Sequence, residues 1–363
     1  MTKMLCLSFV LSVAACGGDD GDSDLPVQNR AVIVAGDFTP GSPGVMSSLD
    51  METAAIEQGV APTGAVGDDP IVRRFGDELF IVNRADGNNI TILDAITLEL
   101  VEQLATGAGS NPQDVTVVGN ELYVPAYGTS GVVVIERGTG ATRQIDLSAL
   151  DNVDGLPDCV SVIKVGDDVF VACGRLDNFV ASEPGIVAVL DTANADALTT
   201  FELANLNPFG LFERMPTAAG GDLVIPTVPD FSDFATGCLE RINLDGTPTS
   251  SCAVTNAEMG GFAGRVDFDG NEMYFTVAAF GANGAIGNVQ GLDLDTDELI
   301  GAVTPESQVI VDFSICPGRE MVVADATMAA NGLRIYDDQG AEVTSAPLAI
   351  GLKPGSAHGI SCY

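Results

Sequence analysis

The chain has no tryptophan, a single histidine (His358), and only two lysines, Lys164 and Lys353, beyond Lys3 near its start. With 15 bases against 51 acids, its formal net charge is −36. A field of that sign repels polyanions, so nucleic acid and anionic lipid surfaces are excluded as partners, and cations or cationic ligands suit it better. The acid excess itself reads as solubility in a salty exterior, where a short screening length makes self-repulsion tolerable. One histidine and the lack of any C-x-x-C spacing argue against a zinc or other thiolate metal site. No stretch of about 18 uninterrupted apolar residues follows the N-terminal segment, so the body is not expected to span a membrane.

What is present is β composition. Hydrophobic residues make up 46% of the chain, Val, Ile and Leu recur in runs of four to six, and 42 glycines and 18 prolines are spread as turn punctuation. The clearest unit is Asn111 to Leu147. It reads as an alternating strand (Asp114 to Val118), a Gly119-Asn120 turn, a second strand (Leu122 to Ala126), a third (Val132 to Glu136), a Gly138 to Gly140 turn and a fourth (Thr142 to Leu147). A four-stranded meander cannot bury both faces of its sheet alone, so it needs copies of itself.

The copies are found by the first hairpin turn, at Gly76, Gly119, Gly166, Gly220, Gly270 and Gly318, each followed by polar residues and then an apolar strand. These glycines stand 43, 47, 54, 50 and 48 residues apart, the range of a propeller blade with variable loops. One further step reaches Tyr363, and one step back reaches the region of Gln28. The expectation is an all-β, seven-bladed β-propeller of four-stranded antiparallel blades over residues 28–363. Its ring is closed by a last inner strand (Ala357 to Tyr363) joining N-terminal strands at Ala31 to Ala35, Val45 to Asp50 and Thr53 to Gln58.

Pro112-Gln113-Asp114-Val115, Leu122-Tyr123-Val124 and Val133-Val134-Ile135, with third-to-fourth turns at Leu93-Asp94-x-x-Thr97, Leu190-Asp191-Thr192 and Leu294-Asp295-Thr296, resemble YVTN-type propeller repeats. The resemblance covers about residues 28 to 363 and implies the fold, because such propellers host many activities. The missing tryptophan removes the signatures of WD repeats, sialidase Asp-boxes and quinoprotein dehydrogenase docking motifs. At the N-terminus, Lys3, the apolar Met4 to Val13 and Val13-Ala14-Ala15-Cys16 resemble a bacterial lipobox. This implies a signal peptide at 1–15 and lipid on the Cys16 sulfur, with residues 16–27, including the acidic Gly17 to Asp24, as a flexible tether. Gly17 rather than Asp after the cysteine implies an outer-membrane or cell-surface location. The lipid is the expected contact with membrane, and a monomer is expected.

Six cysteines remain in a chain expected to be exported, so disulfides are expected. Cys159 and Cys173 lie seven residues either side of Gly166, and Cys238 and Cys252 seven either side of Asp245, so unbulged hairpins place each pair directly opposite. Cys316 and Cys362 then remain, on inner strands flanking the seam of the ring.

Candidate functional residues fall in two sets. Asn111, Asp114, Asp158 and Asn207 begin inner strands or their approaches, and suit a gluconolactonase-like site for Ca²⁺ or another divalent metal at the channel mouth. Asp293-x-Asp295-x-Asp297 has the acids of a calcium loop, but Glu298 replaces the required glycine and the segment reads as a turn. His358 lies near the channel, and Arg73, Arg74, Arg84 and Arg175 can take a carboxylate or pair with nearby acids. The second set lies on long second-to-third strand loops, at Gly36 to Gly44, Gly174 to Gly185, Thr227 to Gly237 and Ala278 to Asn288. They carry Phe38, Phe179, Phe231, Phe234 and Phe280, rings able to anchor a partner or to cover the channel mouth. The residues favour a non-enzymatic envelope protein that binds or scaffolds a protein or small-molecule ligand. A metal-dependent hydrolase or lactonase is the alternative. If Cys16 carries the lipid, Cys16→Ala should move the protein from the membrane fraction to the soluble one, and mass spectrometry of the wild type should find a modified mature N-terminus.

Overall fold

The computed structural model describes residues 29–363 apart from 217–221, 232, 234–235, 245, 282–283, 306–307 and 356, and the side chains of 280–285 are likewise outside it. Residues 1–28, with Cys16 and most of the tether, therefore lie outside the described residues. Seven antiparallel sheets follow one another along the chain as the blades of a propeller. The first blade is made by both ends, with Ile360–Cys362 innermost, then Arg30–Ala35, Val45–Asp50 and Ala55–Gln58. Ala31 pairs with Cys362 and Ile33 with Ile360, as the closure reading requires.

The second blade runs from Pro70–Phe75 to Leu100–Ala105, the third from Thr116–Val118 to Thr142–Asp146 and the fourth from Cys159–Val165 to Ala197–Leu206. The fifth runs from Glu213–Arg214 to Thr249–Thr255 and the sixth from Phe262–Asp269 to Glu298–Ala302. The seventh has three continuous strands, Ile310–Ile315, Met321–Asp325 and Gly332–Tyr336. Its outer edge is completed by bridges from Glu342 to Tyr336 and from Leu348 to Leu333. Apolar residues on both faces of the middle strands, Leu79 to Val82 for example, are buried between adjacent blades, which is why those strands read as continuous apolar runs.

Several sequence expectations change. Ala278 to Asn288 is not a loop. Glu272–Gly281 and Gly284–Asp293 pair continuously from Glu272↔Asp293 to Gly281↔Gly284, so Phe280 stands on a strand of a long hairpin. Gly174 to Gly185 contains a small hairpin of its own, Leu176–Asp177 with Val180–Ala181. Cys159 faces Cys173, but Cys238 faces Thr255 and Cys252 faces Glu240. A register shift between Leu239 and Glu240 offsets the second pair, and its disulfide runs diagonally.

The inner strand of the third blade starts at Thr116, which leaves Asp114 just before it. Third-to-fourth turns are capped by an aspartate that accepts backbone N–H groups two and three residues on, as at Asp50, Asp94 and Asp191. In the sixth blade that aspartate is Asp293, bonded to the N–H groups of Asp295 and Thr296, rather than Asp295. This is an Asx turn holding its own backbone.

Inner strands splay from one another and cannot form a ladder, so side chains tie them together. Asp114 accepts the Val162 N–H at 3.0 Å, Ser161 Oγ the Phe212 N–H at 2.7 Å and Asp267 the Ile315 N–H at 2.9 Å. Asp312 accepts the His358 and Ile360 N–H groups at 2.9 and 2.8 Å. Arg73 grips Asp114 through Nε and Nη2 at 2.8 and 3.0 Å, and reaches Glu213 with Nη1 at 2.9 Å, spanning the channel from the second blade to the fifth. The Cys316–Cys362 disulfide joins the seventh blade to the first, with Cα atoms 4.9 Å apart, inside the range a disulfide needs.

Two stability outcomes follow from these ties. Asp114→Ala takes one of the two carboxylates from a largely buried guanidinium and leaves the Ser161 hydroxyl and Val162 N–H unpaired, and should cost about 3 kcal/mol in denaturant unfolding. Replacing Cys316 and Cys362 by serine opens a closure of 46 residues and should cost about 4 kcal/mol in the chain-entropy model, read as a lower midpoint with an equal or steeper slope because the unfolded chain expands.

Candidate functional site in the central channel

The channel holds two chambers. On the side of the second-to-third strand loops lies a cavity of about 350 Å³ with mainly apolar walls, among them Phe38, Tyr127, Phe209, Phe262 and Ile310, with Arg84, Gln113, Thr276 and His358 among its polar groups. On the side of the tight turns lies a second, of about 320 Å³, lined by Arg73, Arg74, Glu213, Arg265, Asp267 and Ser314 among others. Arg265 joins the two, its Nη1 standing 3.2 Å from His358 Nδ1.

His358 is buried, 3% exposed, and its backbone is held by Asp312. Burial first, then Arg265, Arg73 and Arg84, hold its pKa well below the ordinary histidine value, so the ring is neutral. Arginine only donates, so Nδ1 accepts and the proton sits on Nε2. That Nε2 is buried without a hydrogen-bond partner, as is Arg265 Nε. Burial pushes the Asp312 carboxyl up to about 6 against the pull of Arg265 and of the N–H groups it accepts. Glu213 is raised by the same cause, although Arg73 opposes it.

Asn111, Asp158, Asn207 and His358 share one backbone feature, a left-handed φ of 49°, 53°, 48° and 65° at the approach to an inner strand. Asn and Asp tolerate this region better than most residues. Their side chains tie down loops: Asn111 Oδ1 accepts the Ala85 N–H, Asp158 the Leu176 N–H, and Asn207 Nδ2 donates to the Val228 carbonyl. Burial pushes Asp158 up to about 6. Asp114 is occupied by Arg73, Ser161 and Val162. Among the described residues, no group of three or more His, Cys, Asp or Glu side chains is placed to hold a metal ion.

Arg84 lines the loop-side chamber and pairs with Asp69 at 2.5 Å. Arg175 folds into its own loop, paired with Glu183, Glu202 and the Pro184 carbonyl. Phe38 lines the chamber, and Phe231 packs edge to face on Phe209 and Phe262 with centroids 4.9 and 5.9 Å away, so these rings gather at the channel mouth. Phe179 does not join them and stands 87% exposed at the tip of its hairpin. Phe234 and the Phe280 side chain lie outside the described residues. Sequence reading passed over Arg265, Asp312, Glu213, Tyr127, Phe209 and Phe262. A signal existed for one of them, since Arg265 stands five residues before its turn glycine, as Asp114 and Ser161 do before theirs.

The chain matches no protein-family model and no curated protein. Solved structures do resemble it. A dihydro-heme d1 dehydrogenase aligns with a TM-score of 0.56 and 14% identity, over 96% of this chain and 77% of that one. A putative 6-phosphogluconolactonase from Bacteroides fragilis aligns with 0.55 and 15%, over 92% and 98%. The virginiamycin B lyase of Staphylococcus aureus, in a catalytically inactive form, aligns with 0.55 and 13%, over 84% and 94%. At such identities, among proteins of such different activity, the likeness establishes the propeller fold and nothing finer.

Proposed function

We propose that this chain is a lipid-anchored propeller of the cell envelope that binds a small, largely apolar ligand in the loop-side chamber without chemical change to it. The observation that carries this reading is the chamber itself, a concave apolar cavity of about 350 Å³ with a few polar groups on its wall, which is the usual form of a small-molecule site. Two features favour binding over metal-assisted hydrolysis. The acids and amides that would ligate a metal are engaged in tying down strands and loops. His358, the only histidine, is held neutral with Nδ1 already accepting from Arg265, so it serves as a donor and not as a base.

The first described strand, Arg30–Ala35, runs toward the loop Gly36 to Gly44. This direction favours an anchor attached on the tight-turn side, with the chamber facing away from the membrane. The exposed Phe179 tip favours a second role for the same face, as contact for a protein partner.

Ala278 lines the chamber, and Ala278→Phe should fill it, abolishing binding of an apolar small-molecule probe in calorimetry while thermal unfolding stays cooperative. Unchanged probe binding would refute the chamber as the site. The neutral histidine has a separate check. Its folded pKa is depressed, so its contribution to stability is present above about pH 6.5 and is lost as pH falls, by about 1.4 kcal/mol per pH unit for one proton. The stability difference between wild type and His358→Gln should shrink by that slope below pH 6.5, measured by denaturant unfolding at several pH values.

A further inference from the structure

Arg265 differs from most arginines of this chain. The sequence carries 51 acidic residues, and Arg73, Arg84, Arg137, Arg143, Arg175 and Arg334 each pair with at least one carboxylate. Arg265 has no ion pair among the described residues. Its Nε is buried without a partner, and its one side-chain contact is a nitrogen of a neutral imidazole. His358, 3% exposed, adds a second unpartnered donor at Nε2. The nearest acids are otherwise engaged, Asp312 by the His358 and Ile360 N–H groups and Glu213 by Arg73. Asp312 and Glu213 act on Arg265 electrostatically, yet two buried donors, Arg265 Nε and His358 Nε2, are left without hydrogen-bond partners, and leaving buried donors unpaired is costly. An acceptor carrying negative charge suits them.

We propose that the ligand of the loop-side chamber is a monocarboxylate with an apolar body, the carboxylate taken by His358 on the chamber wall with the Arg265 charge behind the imidazole, and the body held by Phe209, Phe262, Tyr127 and Ile310. This deepens the binding reading and rests on it. A carboxylate suits the pair because the guanidinium supplies charge and the Nε2–H a directed bond. The apolar walls exclude small hydrophilic anions by offering them no replacement for water.

The test uses a matched pair of probes, 4-phenylbutyrate and 4-phenylbutan-1-ol, titrated into the purified protein by calorimetry at pH 7. The wild type should bind the acid at least about tenfold more tightly than the alcohol. Arg265→Met and His358→Phe should bring that ratio to near one. Arg265→Lys keeps the charge but loses the planar fork and the Nε donor. It should reduce the ratio, and it stands in if Arg265→Met fails to fold. Equal affinities in the wild type, or a ratio that survives the Arg265 substitutions, overturn the carboxylate assignment while leaving the chamber as a binding site. If neither probe binds the wild type, the chamber reading fails and the inference with it.

Discussion

A propeller blade is a sheet whose inner strand leads into a ring where no neighbouring strand completes its ladder. The backbone N–H groups at that edge are buried and must be satisfied. In this chain short polar side chains do it: Asp114, Ser161, Asp267 and Asp312 each reach to the next blade's inner strand and accept its N–H. The remaining architecture depends on these ties, because blades packed only by apolar faces have no fixed rotation about the axis. Closing the first blade with Ile360–Cys362 and joining Cys316 to Cys362 completes the same constraint at the seam.

The ties also set the chemistry of the channel. Carboxylates brought to the axis to accept N–H groups are buried, and burial raises Asp312 and Glu213. Arginines must then enter to balance them, which places Arg73 across the channel between the second, third and fifth blades. Arg265 enters the same region without a carboxylate of its own. Arg265 Nε and His358 Nε2 are thereby left as buried donors without partners, His358 on the wall of the apolar cavity.

The repeat was legible because it rests on local chemistry. A turn glycine followed by polar residues and then an apolar strand recurs whether or not the blades are assembled, so six turn glycines were enough to count seven blades. The cross-strand pairing of Cys159 with Cys173 was equally legible, being a matter of hairpin register. Cys238 and Cys252 are bonded as expected but not directly opposite, because a bulge is invisible in spacing. Asn111, Asp158 and Asn207 were singled out as candidate ligands by their place at the start of inner strands, and the structure adds that they share a left-handed backbone that Asn and Asp tolerate.

By itself the sequence determined the number of blades, their order, the closure of the ring by both termini and the partners of the four hairpin cysteines, since each follows from local periodicity or from counting along the chain; Cys316 and Cys362 were left as a pair by elimination. Only the tertiary structure decided which polar side chains face the axis and which of them find partners. Arg265 and His358 are 93 residues apart, and their contact depends on where the sixth blade and the returning C-terminal strand meet. Periodicity within a blade carries no information about distances across the ring, so a site assembled from several blades becomes readable only once the ring is closed.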